Sequence, residues 1–231
     1  MRERPVAPMK PAVRRTTFAV DVVVLSPTAD ALALLLGRAP AGARERWTLP
    51  WDAPQATEGL EEAAARIAAS SLGTAPAFFE QVGAFADGKR HPGDAEVSVG
   101  IVALVPAGAG SPAGGAEWFP LANLPALAPR QRAVVERAAA VVRQRVDQSP
   151  LAFRLLPPTF TLTDLQSIYE LLLSRRLHKA SFRRALQAAW LVEPTDEWRS
   201  EGRGRPAQLF RYAPRRRRNQ RRGVRFDLLS G

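Results

Sequence analysis

Uninterrupted apolar runs open the chain. Thr17 to Leu25 (TFAVDVVVL) is β-branched and almost wholly apolar, as a strand covered on both faces must be, and Ala31–Arg38 repeats the pattern across Ser26-Pro27-Thr28. The two predict an opening hairpin. A polar loop around Arg44–Trp47 follows, and then Leu60, Ala63, Ala64 and Ile67 return at helical spacing, predicting about three turns that end near Gly73. Strands are expected over about Gln81–Phe85 and Glu96–Val105, a Gly- and Pro-containing loop over Ala107–Gly115, and a short strand at Glu117-Trp118-Phe119. Mixed strands around one or more helices make an α/β sandwich. Pro129 to about Gln148 reads as a further helix, and Ser149-Pro150 with Pro157-Pro158 breaks the pattern, which places a boundary near Pro150.

Beyond that boundary, Leu165, Ile168, Tyr169 and Leu172 stand at i, i+3, i+4 and i+7, and Thr163 with Gln166 has the spacing of a capping box. A helix from about Asp164 to about Ser174 is predicted. After the connection Arg175–His178, a second helix of about 178–189 places Phe182, Ala185, Leu186 and Ala189 on one face and Lys179, Arg183, Arg184 and Gln187 on the other. Trp190-Leu191-Val192 reads as a strand, Thr195–Pro206 as a polar loop and Gln208–Tyr212 as the returning strand. Two short helices joined by a brief turn and followed by a hairpin predict a winged helix-turn-helix. Its second helix would enter a major groove, where arginine bonds guanine bidentately and glutamine bonds adenine. The tip Gly202-Arg203-Gly204-Arg205-Pro206 would follow phosphates or a minor groove.

Charge sharpens this picture. Residues 174–225 hold 16 Lys and Arg against 4 Asp and Glu, whereas the rest of the chain holds 17 against 18. The formal net charge of +11 therefore resides in the proposed reading head and its tail, and double-stranded DNA is the expected partner. The tail around Arg215–Arg222 has no apolar period and would add phosphate contacts without sequence choice. The absence of cysteine excludes disulfides and thiolate zinc sites, and with only His91 and His178 no metal or cofactor is assigned. The N-terminal MRERPVAPMKPAVRR lacks an apolar core, and no run approaches about 18 apolar residues, so a cytoplasmic protein without a membrane partner is expected.

The segment Leu49–Gly73 resembles a Nudix box, G-x5-E-x7-R-E-U-x-E-E-x-G-U with U aliphatic. Glu58 takes the first glutamate, Arg66 the arginine and Gly73 the last glycine, with Leu49-Pro50 as the usual lead-in. The three glutamates of the core fall on Ile67, Ser70 and Ser71, and the first glycine falls on Asp52. Glutamates at those positions would converge on divalent cations that neutralise a diphosphate and activate water. An isoleucine and two serines supply no such charge, so the box predicts the fold without the hydrolysis. The alternative is a nucleoside diphosphate or ADP-ribose pyrophosphatase with a basic nucleic-acid-binding appendage.

A degenerate box followed by FTLTDLQ, SFRRAL and GRGRPAQLFRY resembles the Nudix-related transcriptional regulators of NAD metabolism, the NrtR family, over most of Thr16–Tyr212. The resemblance implies a homodimeric repressor of NAD biosynthesis or salvage genes that reads an inverted-repeat operator and is released by ADP-ribose or a related nucleotide. The family's R-D-P-R-G-R lead-in is here Arg90-His91-Pro92-Gly93-Asp94-Ala95, so only Arg90 and Pro92 match. The expected organisation is a flexible basic arm (1–15), a Nudix-like effector and dimerisation domain (16–149), a winged helix-turn-helix (150–213) and an Arg-rich tail (214–231). Lys179, Ser181, Arg183, Arg184, Gln187, Arg203 and Arg205 are the expected DNA contacts, with His178 a helix-start residue. Arg66, Lys89, Arg90 and Trp118 are the expected effector contacts, with pairing of Arg66 to Glu62 at i, i+4 the alternative for that residue.

Overall fold

The computed structural model describes residues 16–76, 78–200 and 205–213. The N-terminal arm, Arg203 and the Arg-rich tail lie outside the described residues.

The predicted opening hairpin is present as β1 (Phe18–Pro27) antiparallel to β2 (Leu32–Arg38), with Leu25 opposite Leu34. Trp47, at the end of the expected loop, instead begins a short strand, β3 (Trp47–Thr48), its ring buried beneath the Arg38 guanidinium at 4.0 Å, and a second short strand, β4 (Trp51–Asp52), follows on β1. Helix α1 (Leu60–Leu72) starts at Gly59, whose N–H donates to the Glu62 carboxylate at 2.9 Å. It stops at Gly73, which takes a left-handed φ of 71° that a side chain would disfavour. Strands β5 (Phe78–Phe85), β6 (Val97–Leu104) and β7 (Glu117–Pro120) complete a seven-stranded sheet ordered β3-β2-β1-β6-β5, with β4 on β1 and β7 on β2. Among the described residues only β1 and β6 pair in parallel, and both strands are buried almost throughout.

The side chains of β1 alternate between two cores. Val20, Val22 and Val24 meet Ala63, Ala64, Ile67, Ala68 and Leu72 of α1. Val23 and Leu25 face α2 (Pro129–Val146), which contributes Val134, Ala138, Val142 and Val146. This second core does not stop at residue 150. It continues through the 3-10 turn Leu151–Leu155 into Phe160, Leu165, Tyr169, Phe182 and Leu186, so the two halves share one apolar body where the sequence suggests two. Prolines at 150, 157 and 158 end the helix, but the aromatic residues around them carry the packing across: Phe153 touches Phe160, Tyr169 and Tyr212.

The second half is a winged helix. It comprises β8 (Thr159–Phe160), α3 (Leu162–Leu173), α4 (Lys179–Ala189), β9 (Val192–Arg199) and β10 (Ala207–Tyr212), with the strands ordered β8-β10-β9. Three expectations are corrected. The capping box of α3 is Thr161 with Asp164, not Thr163 with Gln166: Asp164 N–H donates to the Thr161 hydroxyl at 3.1 Å, and the Asp164 carboxylate accepts from Thr161 N–H at 2.9 Å. Trp190 does not begin a strand; it ends α4 with a left-handed φ of 53°. Strand β9 runs to Arg199, well into the expected loop, because Thr195 bonds the Leu209 carbonyl and holds the hairpin closed.

Candidate nucleic-acid interface and nucleotide cavity

Helix α4 is amphipathic in the expected sense. Phe182 and Leu186 are buried against α3, whereas Lys179, Arg183, Arg184 and Gln187 are exposed and Ser181 is half-buried. No ion pair engages Lys179, Arg183 or Arg184 among the described residues. Cations left free on one face of a presented helix are available to phosphates and base edges. His178 occupies the N-cap, with Nδ1 3.3 Å from the Ser181 hydroxyl, which links Ser181 to the start of the helix.

The turn before α4 is fixed from α3. Glu170 accepts from Leu177 N–H, Gln166 Nε2 and Arg176 Nη1, each at 2.9 Å. Partial burial pushes its carboxyl upward, and these three donors outweigh that and hold it below the ordinary range. The wing is fixed in the same way: Arg199 Nη2 lies 2.8 Å from both oxygens of Asp164, the residue that caps α3. Burial raises Asp164, but Arg199 and the Thr161 donors lower it further than burial lifts it. Arg205 is exposed at the end of the described wing and carries no ion pair among the described residues.

The Nudix-like box lines a cavity of about 350 Å³ between Arg38, Trp51, Asp52, Arg66, Ser70, Ser71 and Gly114. Arg66 does not pair with Glu62. It bonds Glu58 through Nε and Nη2 at 2.8 and 2.9 Å, Asp52 at 2.7 Å and the Ala53 carbonyl at 3.1 Å. The Arg66 hydrogen bond, assisted by the Gln55 N–H, lowers the Glu58 carboxyl to about 2. Ile67 is buried in the sheet-facing core, and both serine hydroxyls donate to its carbonyl, Ser70 at 2.8 Å and Ser71 at 3.1 Å. The box thus presents an arginine tied to two carboxylates where three converging glutamates would hold a metal. No group of three or more His, Cys, Asp or Glu suited to a metal occurs among the described residues.

Of the four expected effector contacts, the structure brings only Arg66 to this cavity. Lys89 pairs with Asp87 at 2.9 Å, Arg90 pairs with Glu45, and Trp118 packs beside the α1 core opposite Leu35 of β2. Sequence reasoning missed Arg38 and Trp51. Trp51 follows the Leu49-Pro50 lead-in directly, which is a usable signal; Arg38, at the end of β2, has none.

A buried polar network backs the cavity wall. Gln131, at the start of α2 and fully buried, accepts from the Thr48 hydroxyl (2.9 Å) and Leu49 N–H (3.1 Å) and donates to Asp21 at 2.7 Å. His91 Nε2 lies 3.1 Å from the same Asp21 oxygen, its Nδ1 accepts from Gly93 N–H, and its ring meets the Trp51 edge at 4.9 Å. Gly93 is required there, since a Cβ would lie 2.0 Å from the Trp51 ring.

Comparison with known proteins agrees with both halves. Residues 15–138 match the NUDIX domain model and residues 152–212 the NrtR DNA-binding winged helix domain. The ADPR responsive transcriptional repressor NtrR of Acinetobacter baylyi is 32% identical over 204 residues, covering 84% of this chain and 81% of that protein. The crystal structure of Shewanella oneidensis NrtR complexed with a 27mer DNA superposes with a TM-score of 0.73 at 29% identity, over 85% of this chain and 94% of the other. A MutT/nudix family protein from Enterococcus faecalis shares the fold with a TM-score of 0.67 at 18% identity, over 89% and 90% of the two chains.

Proposed function

The chain belongs to the NrtR family, and from that premise we propose that it is a DNA-binding transcriptional repressor whose Nudix-like half senses ADP-ribose or a related nucleotide. The observation that carries the reading is α4: a helix seated by Phe182 and Leu186, with Lys179, Arg183, Arg184 and Gln187 presented on its free face. The relative from Acinetobacter is an ADP-ribose-responsive repressor and the Shewanella relative is bound to DNA, which supports the same assignment here.

Within this reading, a homodimer sets two copies of α4 in successive major grooves of an inverted repeat near NAD-synthesis or salvage genes, because a two-fold protein reads a two-fold site. Lys179, Ser181, Arg183, Arg184 and Gln187 contact bases and phosphates, and Arg203 and Arg205 serve the wing. The protein acts as a regulator and not as an enzyme. Its lack of hydrolysis is assigned to Ile67, Ser70 and Ser71, which leave the metals of a Nudix reaction without anionic oxygen ligands. Arg66, tied to Glu58 and Asp52, and Arg38, paired with Glu117, are the guanidinium groups lining the effector cavity; Lys89, Arg90 and Trp118 would reach a ligand only if it extends beyond the cavity. No helix among the described residues is long and apolar enough to cross a membrane, and a cytoplasmic location follows from the DNA target.

The test is retention of sheared genomic DNA by the purified protein at about 150 mM salt, where backbone contacts alone are weakened, followed by sequencing with and without ADP-ribose. A few sites sharing an inverted repeat, lost when ADP-ribose is present, are expected. Uniform recovery of the genome would refute sequence-specific repression.

A further inference from the structure

A second cavity, of about 800 Å³, lies between the two halves and away from the Nudix-like box. Its floor is apolar: Leu32 and Leu121 from the sheet side, Leu124, Val135 of α2 and Leu171 of α3. Its rim carries Arg132 and Arg143 from α2 and Arg175 and Arg176 from the turn that precedes α4. The carboxylates at the same rim are Asp30, Glu136 and Glu170. Arg132 is engaged by Glu136 at 3.3 Å and Arg176 by Glu170 at 2.9 Å, and Arg175 has a further interaction of its own. Arg143 is exposed and has no carboxylate partner among the described residues.

We propose that this cavity is a binding site for a small organic phosphate, distinct from the effector cavity, whose anion is held by Arg143 and Arg176 and whose apolar body covers the leucine floor. The chemistry selects the ligand. A guanidinium fork matches two phosphate oxygens. The surrounding carboxylates demand an anion able to compete with Glu170 for Arg176, whose side chain is 95% exposed, and a phosphate dianion does so where a second carboxylate would not. The volume falls in the range of small-molecule sites and exceeds what a bare phosphate fills, leaving room for an apolar body over the leucine floor.

Occupancy acts on the reading head through Glu170. That carboxylate orders the turn by accepting from Leu177 N–H as well as Arg176, and a phosphate that draws Arg176 away removes one of its donors. The α3–α4 turn loosens, and α4 is presented less well. This second step rests on the DNA-binding reading; the site itself does not.

The experiment titrates 1-naphthyl phosphate into the full chain by calorimetry without divalent cations, with inorganic phosphate and 1-naphthol as its separated halves. Saturable binding of the ester is expected, at least about tenfold tighter than either half. Arg143→Gln, an exposed change that leaves the core untouched, weakens it by about tenfold or more, the loss of one hydrogen bond to a charged group. Arg66→Gln, in the other cavity, leaves it within about twofold. No saturable binding, equal binding by Arg143→Gln, or loss on Arg66→Gln overturns the site. Saturating ester weakens operator binding by about fivefold or more, and an unchanged operator affinity overturns the coupling. A chain that binds no operator at all refutes the DNA-binding reading instead, and the calorimetry still decides the site.

Discussion

Replacing Gln131 with Leu removes an amide that holds three groups at once, all in a buried place. The Thr48 hydroxyl keeps the Leu49 carbonyl at 3.1 Å, so it is not orphaned. The Leu49 N–H is, at about 1–3 kcal/mol for an unsatisfied buried donor. Among the described residues Asp21 loses its shortest donor and keeps only His91, and its second oxygen already has no partner there, so a further loss of about 1.5–3 kcal/mol falls on a carboxylate acceptor. Leucine recovers about 1 kcal/mol by burying apolar surface in place of an amide. The net loss is about 1.5–5 kcal/mol. With a urea slope of about 2–3 kcal/mol per molar for a chain of this size, the unfolding midpoint falls by about 0.5–2.5 M. Gln131→Glu sets a second carboxylate against Asp21 and falls further. A midpoint within about 0.3 M of the parent for Gln131→Leu would show that the network carries no net stability and refute this reasoning. Under native conditions the same variant frees Thr48–Asp52, one wall of the Nudix-like cavity, so nucleotide affinity drops while operator affinity in the absence of nucleotide is kept.

Arg183→Ala erodes discrimination at its base pair by about 1–3 kcal/mol in competition binding; equal weakening on operator and random duplex would sink the base contact. Asp164 and Glu170 both have lowered folded-state values, so their contribution is fully present above the unfolded carboxylate range, near pH 4, and is lost as pH falls through the folded values. Thermal melts between about pH 7 and pH 3 should therefore fall more steeply for the parent than for Asp164→Asn or Glu170→Gln, and parallel curves would contradict the assignment. Incubation with ADP-ribose and magnesium releases no AMP by chromatography, since Ile67, Ser70 and Ser71 offer no anionic oxygen to a metal; catalytic turnover would restore the hydrolase alternative.

Much of this was legible in the sequence because it rests on periodicity. The β-branched run at β1, the apolar spacing of α1 and α3, and the polar face of α4 each follow from which side of an element is buried. Short-range chemistry was less legible. Two capping boxes overlap in Thr161-Leu162-Thr163-Asp164-Leu165-Gln166, and only Arg199, 35 residues away, selects the one that forms by binding Asp164. The same holds for Arg66, whose i, i+4 neighbour Glu62 is claimed by the Gly59 N–H, leaving Glu58 and Asp52 to take the guanidinium. The interdomain cavity leaves no trace at all in a linear reading, since its rim is assembled from residues 29–32, 121–143 and 167–176.

Helix α2 meets the Nudix-like cavity wall at one end, through Gln131, and the reading head at the other, where its Val142 and Val146 enter the common core. Eighteen residues at 1.5 Å each make it a beam of about 27 Å. A pivot of about 4° at the Gln131 end would sweep the far end by about 2 Å over that length. Duplex DNA repeats its major groove about every 34 Å, and bending it to follow the protein costs about 1–6 kcal/mol. Two such beams in a symmetric pair would add their sweeps, and a few ångströms of mismatch in the span between recognition helices is enough to forfeit hydrogen bonds at both half-sites. If the chain regulates as proposed, gearing along α2, more than contact with the nucleotide, would set how sharply operator binding is released.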